Sequence, residues 1–270
     1  HGEPVGFAAV SRDGGATWSE PVRISRGPAI NVTLCAFDGG AVVAWHTREE
    51  GRILAARWDG SRWAEPVVLN GDGDGDAADV SLAGAGRKLV ACWEESVAEG
   101  SREKDLRLAT SADGGRTWSA PLQVRIEGGR VPPVVGDPCV AFDRDGGLLV
   151  AYQGAGSVYL AAARRGEQEF RYLDKLGPGL FVHVEIGPDG IFAAWEHFVG
   201  DMRNSAAKTA GLAISTDGHS FRKPHAMPGS ESATGRLETG VILSPGWVDM
   251  VWVEIDDRET RLVVRSARIR

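Results

Sequence analysis

One octapeptide pattern occurs twice in this chain. Residues 11–18 read Ser-Arg-Asp-Gly-Gly-Ala-Thr-Trp, and residues 111–118 read Ser-Ala-Asp-Gly-Gly-Arg-Thr-Trp. In each copy the Asp carboxylate can accept backbone N–H bonds and the glycines supply positive φ, so the pattern predicts a tight turn between two strands. The indole at its end can cover that turn. A hairpin that recurs along a chain is typical of repeat architectures, so the sequence predicts a repeat protein built from β-strands.

Weaker copies of these two repeat hairpins lie at residues 57–63 and 215–221, and a fifth slot at residues 164–170 keeps only its position. The pattern resembles the Asp-box, or BNR repeat, of the sialidase-like β-propellers. The resemblance implies that each copy joins the third and fourth strands of a blade and is structural. The structural residues it assigns are Ser11, Asp13, Gly15, Trp18, Asp59, Trp63, Ser111, Asp113, Gly115, Trp118, Ser215 and Asp217.

Five apolar runs end in an aromatic residue, and each is interpreted as the second strand of a blade. These aromatic residues are Trp45, Trp93, Tyr152, Trp195 and Trp252. A chain of 270 residues with 36 Gly and 13 Pro suits many short strands joined by turns. The prediction is an all-β, five-bladed propeller forming one domain over residues 1–270, with a closing blade built from both termini. Because residues 5–10 and 260–267 both read as third strands, a sixth, incomplete blade is the alternative.

Blade topology assigns the repeat hairpins to one face and the ends of the second strands to the opposite face, where ligand sites of such rings are expected. Aligning the first strands gives one column of Asn31, Asp79, Asp137, Phe181 and Leu237. Four histidines are expected on the same face: His1, His46, His183 and His197. The alternative is that each of these is an ordinary hydrogen-bonded surface histidine.

His1 offers two nitrogen donors, its α-amine and its ring Nδ1, and a second imidazole would complete a nitrogen set that suits copper. This arrangement resembles the histidine brace of copper-dependent polysaccharide monooxygenases and some periplasmic copper carriers. The sequence therefore predicts a copper site formed by His1 with His183, His197 or His46. Residues placed to complete or orient the ligand set are Asp79, Asp137, Glu94, Glu196 and Met202.

A second metal candidate is the Gly-Asp-Gly-Asp-Gly-Asp run at residues 71–76. Asp72, Asp74 and Asp76 resemble the first half of a calcium loop, but Ala83 stands where an EF-hand carries its bidentate Glu. An acidic turn between two blades is the preferred interpretation.

Two other functions compete with metal binding. The sialidase resemblance implies an Arg triad and a tyrosine nucleophile, for which the chain offers only Tyr152, Arg130 and Arg236 in suitable positions. A glycan- or protein-binding propeller could instead use Trp45, Trp93, Trp195 and Trp252 as an aromatic rim, although such repeated aromatics more often form the core between blades. Whether the chain is a catalyst stays open.

Composition and the first residue bear on partners and location. The formal net charge is −7 and no basic stripe is present, which argues against nucleic acid as a partner. No run of about 18 apolar residues exists, so no membrane span is expected. A chain beginning at His1 fits a mature exported protein, periplasmic or secreted. The expected partners are a metal ion and either a copper-handling protein or a glycan.

Overall fold

The computed structural model describes residues 4–71, 76–98, 100–101, 103–126, 134–167, 169–199, 208–216, 220–222, 225–227, 230, 239–255 and 260–268. Every regular element among them is a β-strand. The chain divides into two compact units, His1–Gln123 and Val124–Arg270. None of the described segments forms a helix of the length and apolarity that a membrane crossing requires.

The described strands of the first unit form three antiparallel groups. A short sheet pairs β1 (Phe7–Ala8) with β2 (Val22–Arg23). The next sheet runs β3 (Ile30–Phe37), β4 (Gly40–Thr47), β5 (Arg52–Trp58) and β6 (Val67–Val68), each strand pairing with the one before it. The third runs β7 (Ala77–Ala85), β8 (Lys88–Ser96), β9 (Lys104–Ser111) and β10 (Leu122–Gln123) in the same way.

The second unit continues this pattern. It contains β11 (Arg125–Ile126), β12 (Val134–Phe142), β13 (Leu148–Gly154), β14 (Ser157–Ala163), β15 (Glu169–Gly187), β16 (Gly190–Phe198), β17 (Lys208–Ser215), β18 (His225–Ala226), β19 (Thr239–Ser244), β20 (Trp247–Ile255) and β21 (Thr260–Arg268). Strand β15 pairs with β14 up to Pro178 and with β16 from Gly179 onwards, so it serves two consecutive meanders. The last meander, β19-β20-β21, has three described strands.

The aromatic residues predicted to end second strands lie on β4, β8, β13, β16 and β20, the second strand of each meander. All five side chains are at most 1% exposed, and they are Trp45, Trp93, Tyr152, Trp195 and Trp252. Each is therefore a core residue. Burial of side chains this large is among the main contributions to the stability of each unit.

The repeat hairpins form the turns predicted from their sequence. In the second copy, Ser111 Oγ donates to Asp113 Oδ1 (2.9 Å), while Thr117 donates its backbone N–H to Oδ1 and its hydroxyl to Oδ2 (2.9 and 2.7 Å). The first copy repeats these contacts between Ser11, Asp13 and Thr17. Both copies lie between the strands predicted to flank them, β9 and β10 in one case and β1 and β2 in the other.

Four residues of the first-strand column share an unusual backbone conformation. Asn31, Asp79, Asp137 and Phe181 have φ of 48°, 50°, 51° and 52°, in the left-handed region. Each lies at a break in register between the first and second strands of its meander, so each marks a β-bulge. Asn and Asp tolerate this region better than most residues do. The fifth member of the column, Leu237, lies outside the described residues.

Candidate functional site

The bulges of the first unit bring three polar side chains together. Asn31 Nδ2 donates to Asp79 Oδ1, which joins the first strands of two neighbouring meanders. The backbone N–H of Asp79 donates to His46 Nδ1 at 3.3 Å. Asn31 is exposed, Asp79 is half-buried, and His46, at the end of β4, is buried. We call Asn31, His46 and Asp79 the bulge triad.

The contact with Asp79 fixes the chemistry of His46. Because Nδ1 accepts a hydrogen bond from a backbone N–H, a neutral ring must carry its proton on Nε2. Burial lowers the pKa of His46, and the carboxylates of Asp79 and Asp76 oppose this lowering. The imidazole is therefore neutral near pH 7, with Nε2–H as a hydrogen-bond donor.

Two carboxylates predicted to complete or orient a metal-ligand set, those of Glu94 and Glu196, each form an ion pair with a lysine. Lys104 Nζ donates to Glu94 Oε1, and Lys208 Nζ lies 2.9 Å from Glu196 Oε1. Both glutamate side chains are at most 2% exposed. Each glutamate directly follows a buried Trp at the end of a second strand, so the two pairs occupy equivalent positions in their meanders. Their role in the described structure is to join second and third strands.

The structure places His183 and His197 on opposite faces of one sheet. His183 pairs with Ala194, whereas Trp195 and His197 alternate to the other face of β16. His183 Nε2 lies 3.7 Å from Glu185 Oε2, and its side chain is 45% exposed. The ring of His197 meets Trp195 edge-on at 5.8 Å between centroids. Burial lowers the pKa of His197, while a hydrogen bond with the Pro178 carbonyl opposes the shift.

Several residues predicted for a metal site lie outside the described residues: His1, Met202, Asp72 and Asp74. Asp217, predicted as a structural residue of a weak hairpin copy, also lies outside them. Among the residues that the structure does describe, no group of three or more His, Cys, Asp and Glu side chains could hold a metal ion. Asp137 occupies a bulge between β12 and β13 in the second unit, and Asp76 lies beside the β4–β5 turn. The copper and calcium sites both stay predictions.

The residues proposed for an aromatic rim and for a sialidase-type site are either buried or outside the described residues. The four indoles considered as an aromatic rim are buried, which agrees with their interpretation as core residues. Tyr152 is 0% exposed and stacks on Tyr159 at 5.6 Å between ring centroids, so its position does not suit a nucleophile that must reach a substrate. Arg130 and Arg236 lie outside the described residues.

Sequence reasoning missed Asn31 as a site residue. It stood in the aligned first-strand column with Asp79 and Asp137, which was the available signal. The sequence could not show that the column consists of bulges, because a bulge is defined by pairing with a neighbouring strand.

Comparison with known proteins identifies the fold. No protein-family model and no curated protein matches the chain. Trypanosoma rangeli sialidase in complex with 2,3-difluorosialic acid, a covalent intermediate, is 12% identical with a TM-score of 0.59, over 98% of this chain and 51% of that one. Bacteroides ovatus Xyloglucan PUL GH43B is 13% identical with a TM-score of 0.52, over 87% of this chain and 52% of that one.

A third similar structure is Penicillium chrysogenum alpha-L-arabinanase complexed with arabinobiose, 12% identical with a TM-score of 0.56, covering 78% of this chain and 66% of that one. At these identities the likeness establishes the fold, a sialidase-like β-propeller, and the prediction of an all-β propeller is confirmed. The number of blades stays a prediction. The chain spans about half the length of the sialidase and of the GH43B protein.

Proposed function

We propose that this β-propeller binds carbohydrate, and that the bulge triad recognises sugar hydroxyl groups. The observation that carries the proposal is the pairing of Asn31 with Asp79 across two bulges, with His46 held in one tautomer behind them. Bulges re-aim side chains and are enriched next to functional sites. Asn31 and Asp79 also lie in the left-handed region, which a fold keeps at non-glycine residues only when the surroundings support it.

The chemistry of the triad suits a polyhydroxylated group. Asp79 supplies a carboxylate acceptor, Asn31 an amide with both donor and acceptor, and His46 a neutral N–H donor. A sugar hydroxyl both donates and accepts, so a neighbouring pair of hydroxyls can satisfy such a set. The names of the similar structures, a sialidase, a GH43 protein and an arabinanase with arabinobiose, favour the same ligand class.

Hydrolysis is not part of this proposal. Glycoside hydrolysis generally uses two carboxyl groups on either side of the scissile bond, and the triad contributes one, Asp79. We do not count the carboxylates of the repeat hairpins as candidates, because we assign these hairpins as Asp-boxes with a structural role. Their internal hydrogen bonds support this assignment.

Copper binding through His1 is a second, separate proposal. The half-exposed pair of His183 and Glu185 favours it, because a carboxylate beside one ring nitrogen is a common way to orient a metal-binding imidazole. His46 is the weaker partner for copper, since its Nδ1 is already an acceptor and its Nε2 carries the proton.

The carbohydrate proposal is tested by titrating the protein with sialyllactose, arabinobiose and a xyloglucan heptasaccharide in a calorimeter. Asp79→Asn should weaken the binding of whichever sugar binds by about tenfold or more, because a hydrogen bond to a charged acceptor contributes about 1.5–3 kcal/mol. His225→Ala changes an exposed histidine on β18 and is the control. If none of the three sugars binds at millimolar concentration, or if Asp79→Asn binds as the wild type does, the proposal is wrong.

A further inference from the structure

A groove runs along the side of the first four-stranded meander in the first unit. Two cavities of about 790 and about 610 Å³ adjoin there, and both are lined by Arg26, Glu65 and Pro66. The larger extends towards Trp58 and Ser61, and the smaller extends past Thr47. Strand β5 lies beside both and spans about 23 Å at the usual rise per residue. The groove is therefore elongated, and its lining includes none of the bulge triad.

An aromatic pair forms one wall of the larger cavity. Trp58 and Trp63 flank the turn of the weak hairpin copy, with ring centroids 5.5 Å apart and planes inclined at 49°. Both rings are half-buried rather than enclosed. Trp63 also packs against the core cluster that contains Ile24 and Trp45, which holds the wall in place. A rigid, partly open aromatic wall provides large contact area at little cost in conformational entropy.

The charges of the groove balance. Its lining includes four arginines and four glutamates across the two cavities. Arg23 is fixed by hydrogen bonds to the Ser25 and Arg26 carbonyls, each 2.7 Å. Arg26 and Glu65 form an ion pair of 2.7 Å whose side chains are 86% and 80% exposed. A balanced lining of this kind does not select a charged ligand, and it offers donors and acceptors to hydroxyl groups.

A peptide is a poorer match for the same groove. Binding by strand addition requires a row of free backbone groups on an edge strand, but the edge strands at the groove, β2 and β6, are two residues long. The groove presents mainly side chains. Aromatic faces with scattered polar groups match a sugar chain, whose rings have apolar faces and polar rims.

We propose that this lateral groove is a second carbohydrate site, which holds an uncharged oligosaccharide against Trp58 and Trp63. The inference takes its ligand class from the function proposed above, but its residues are separate from the bulge triad. The two sites can therefore fail independently.

Calorimetry with cellohexaose and xylohexaose as uncharged probes, and trigalacturonate as a charged one, tests the groove. The wild type should bind two molecules of an uncharged probe, and Trp58→Ala should remove one of them or weaken it by about tenfold or more, as expected for a buried aromatic contact. Trp63→Phe keeps an aromatic ring and should show a smaller loss, which guards against a Trp58→Ala variant that fails to fold. Trp247→Ala, which removes an exposed indole on β20 outside the groove, should bind as the wild type does.

The Asp79→Asn variant separates the two proposals. If it loses one molecule and Trp58→Ala loses the other, both sites stand. If the wild type binds one molecule, lost in Trp58→Ala and kept in Asp79→Asn, the groove stands, and the titrations with sialyllactose, arabinobiose and the xyloglucan heptasaccharide decide the triad proposal. Unchanged binding in both Trp58→Ala and Trp63→Phe, or tighter binding of trigalacturonate than of the uncharged probes, overturns the groove.

Discussion

The buried ion pair of Glu196 and Lys208 makes a sharp prediction about stability. The Glu196 side chain is 0% exposed, and its Oε1 lies 2.9 Å from Lys208 Nζ, while the lysine side chain is 30% exposed. Lys208→Met removes the cation and leaves a charged carboxylate inside the protein. Breaking a buried pair in this way costs about 3–5 kcal/mol, and the partial exposure of Lys208 favours the lower figure, about 3 kcal/mol.

Urea denaturation followed by tryptophan fluorescence measures this loss. The matched control is Arg26→Met, which breaks a pair of similar length, Arg26 and Glu65, whose side chains are 86% and 80% exposed. That variant should lose less than about 1 kcal/mol. The double variant Glu196→Gln/Lys208→Met should recover part of the loss, since no charge is then left buried. If Lys208→Met is as mild as Arg26→Met, the reasoning from burial is wrong.

Three further predictions concern a glycine packed against Trp195, the carboxylate of Asp13 and copper binding by His1. Gly211→Ala should destabilise the protein by about 1–3 kcal/mol in the same urea assay, because a Cβ there would lie 2.8 Å from an indole carbon of Trp195. Gly240→Ala is the control and should be neutral, because a Cβ at that position meets nothing within 4 Å. Hydrogen bonds, above all from the threonine hydroxyl of its hairpin, lower the pKa of Asp13 to about 2. The pKa of Asp13 in the folded state is thus below its unfolded value of about 3.9. The contribution of this carboxylate to stability is therefore present above about pH 4 and is lost as the pH falls towards about 2. In an acid titration of stability, Asp13→Asn should lack this pH-dependent loss. Adding one residue before His1 should abolish tight Cu(II) binding in calorimetry, since an amide cannot replace the α-amine, and unchanged affinity would refute the copper site.

The parts of the fold that could be predicted from sequence are those made by near neighbours. Within the second repeat hairpin, every hydrogen bond to the Asp113 carboxylate comes from residues no more than four positions away. All donors of this network lie within the octapeptide itself, so the octapeptide was sufficient to predict the turn. The buried aromatic ends of the second strands follow equally from a local apolar run.

The arrangement of the histidines could not be predicted, because it depends on pairing between strands. A bulge between Leu180 and His183 inserts an extra residue on β15, and the register then pairs His183 with Ala194. A shift of one residue moves a side chain to the opposite face of a sheet. The strand positions in the sequence placed His183 and His197 at the same end of the fold, but they could not assign the two side chains to opposite faces of the sheet.

Whether the two terminal segments share a blade was also beyond the sequence. Residues 5–10 and 260–267 both had the pattern of a third strand, and the structure pairs β21 with β20 while β1 pairs with β2. The alternation of residues in a strand predicts which side chains are buried, but it does not predict which strand pairs with it, because pairing depends on residues far away in the sequence. A closing blade built from both termini stays a prediction.

Nitrogen-15 NMR of His46 tests the proposed carbohydrate site most directly. We expect a neutral imidazole near pH 7 with its proton on Nε2, because Nδ1 accepts a hydrogen bond from the Asp79 N–H and burial lowers the pKa of His46. Adding the sugar that binds should shift the Nε2 resonance, while the nitrogens of His225 should not move. A ring protonated on Nδ1, or an Nε2 resonance unchanged at saturating sugar, would contradict the account.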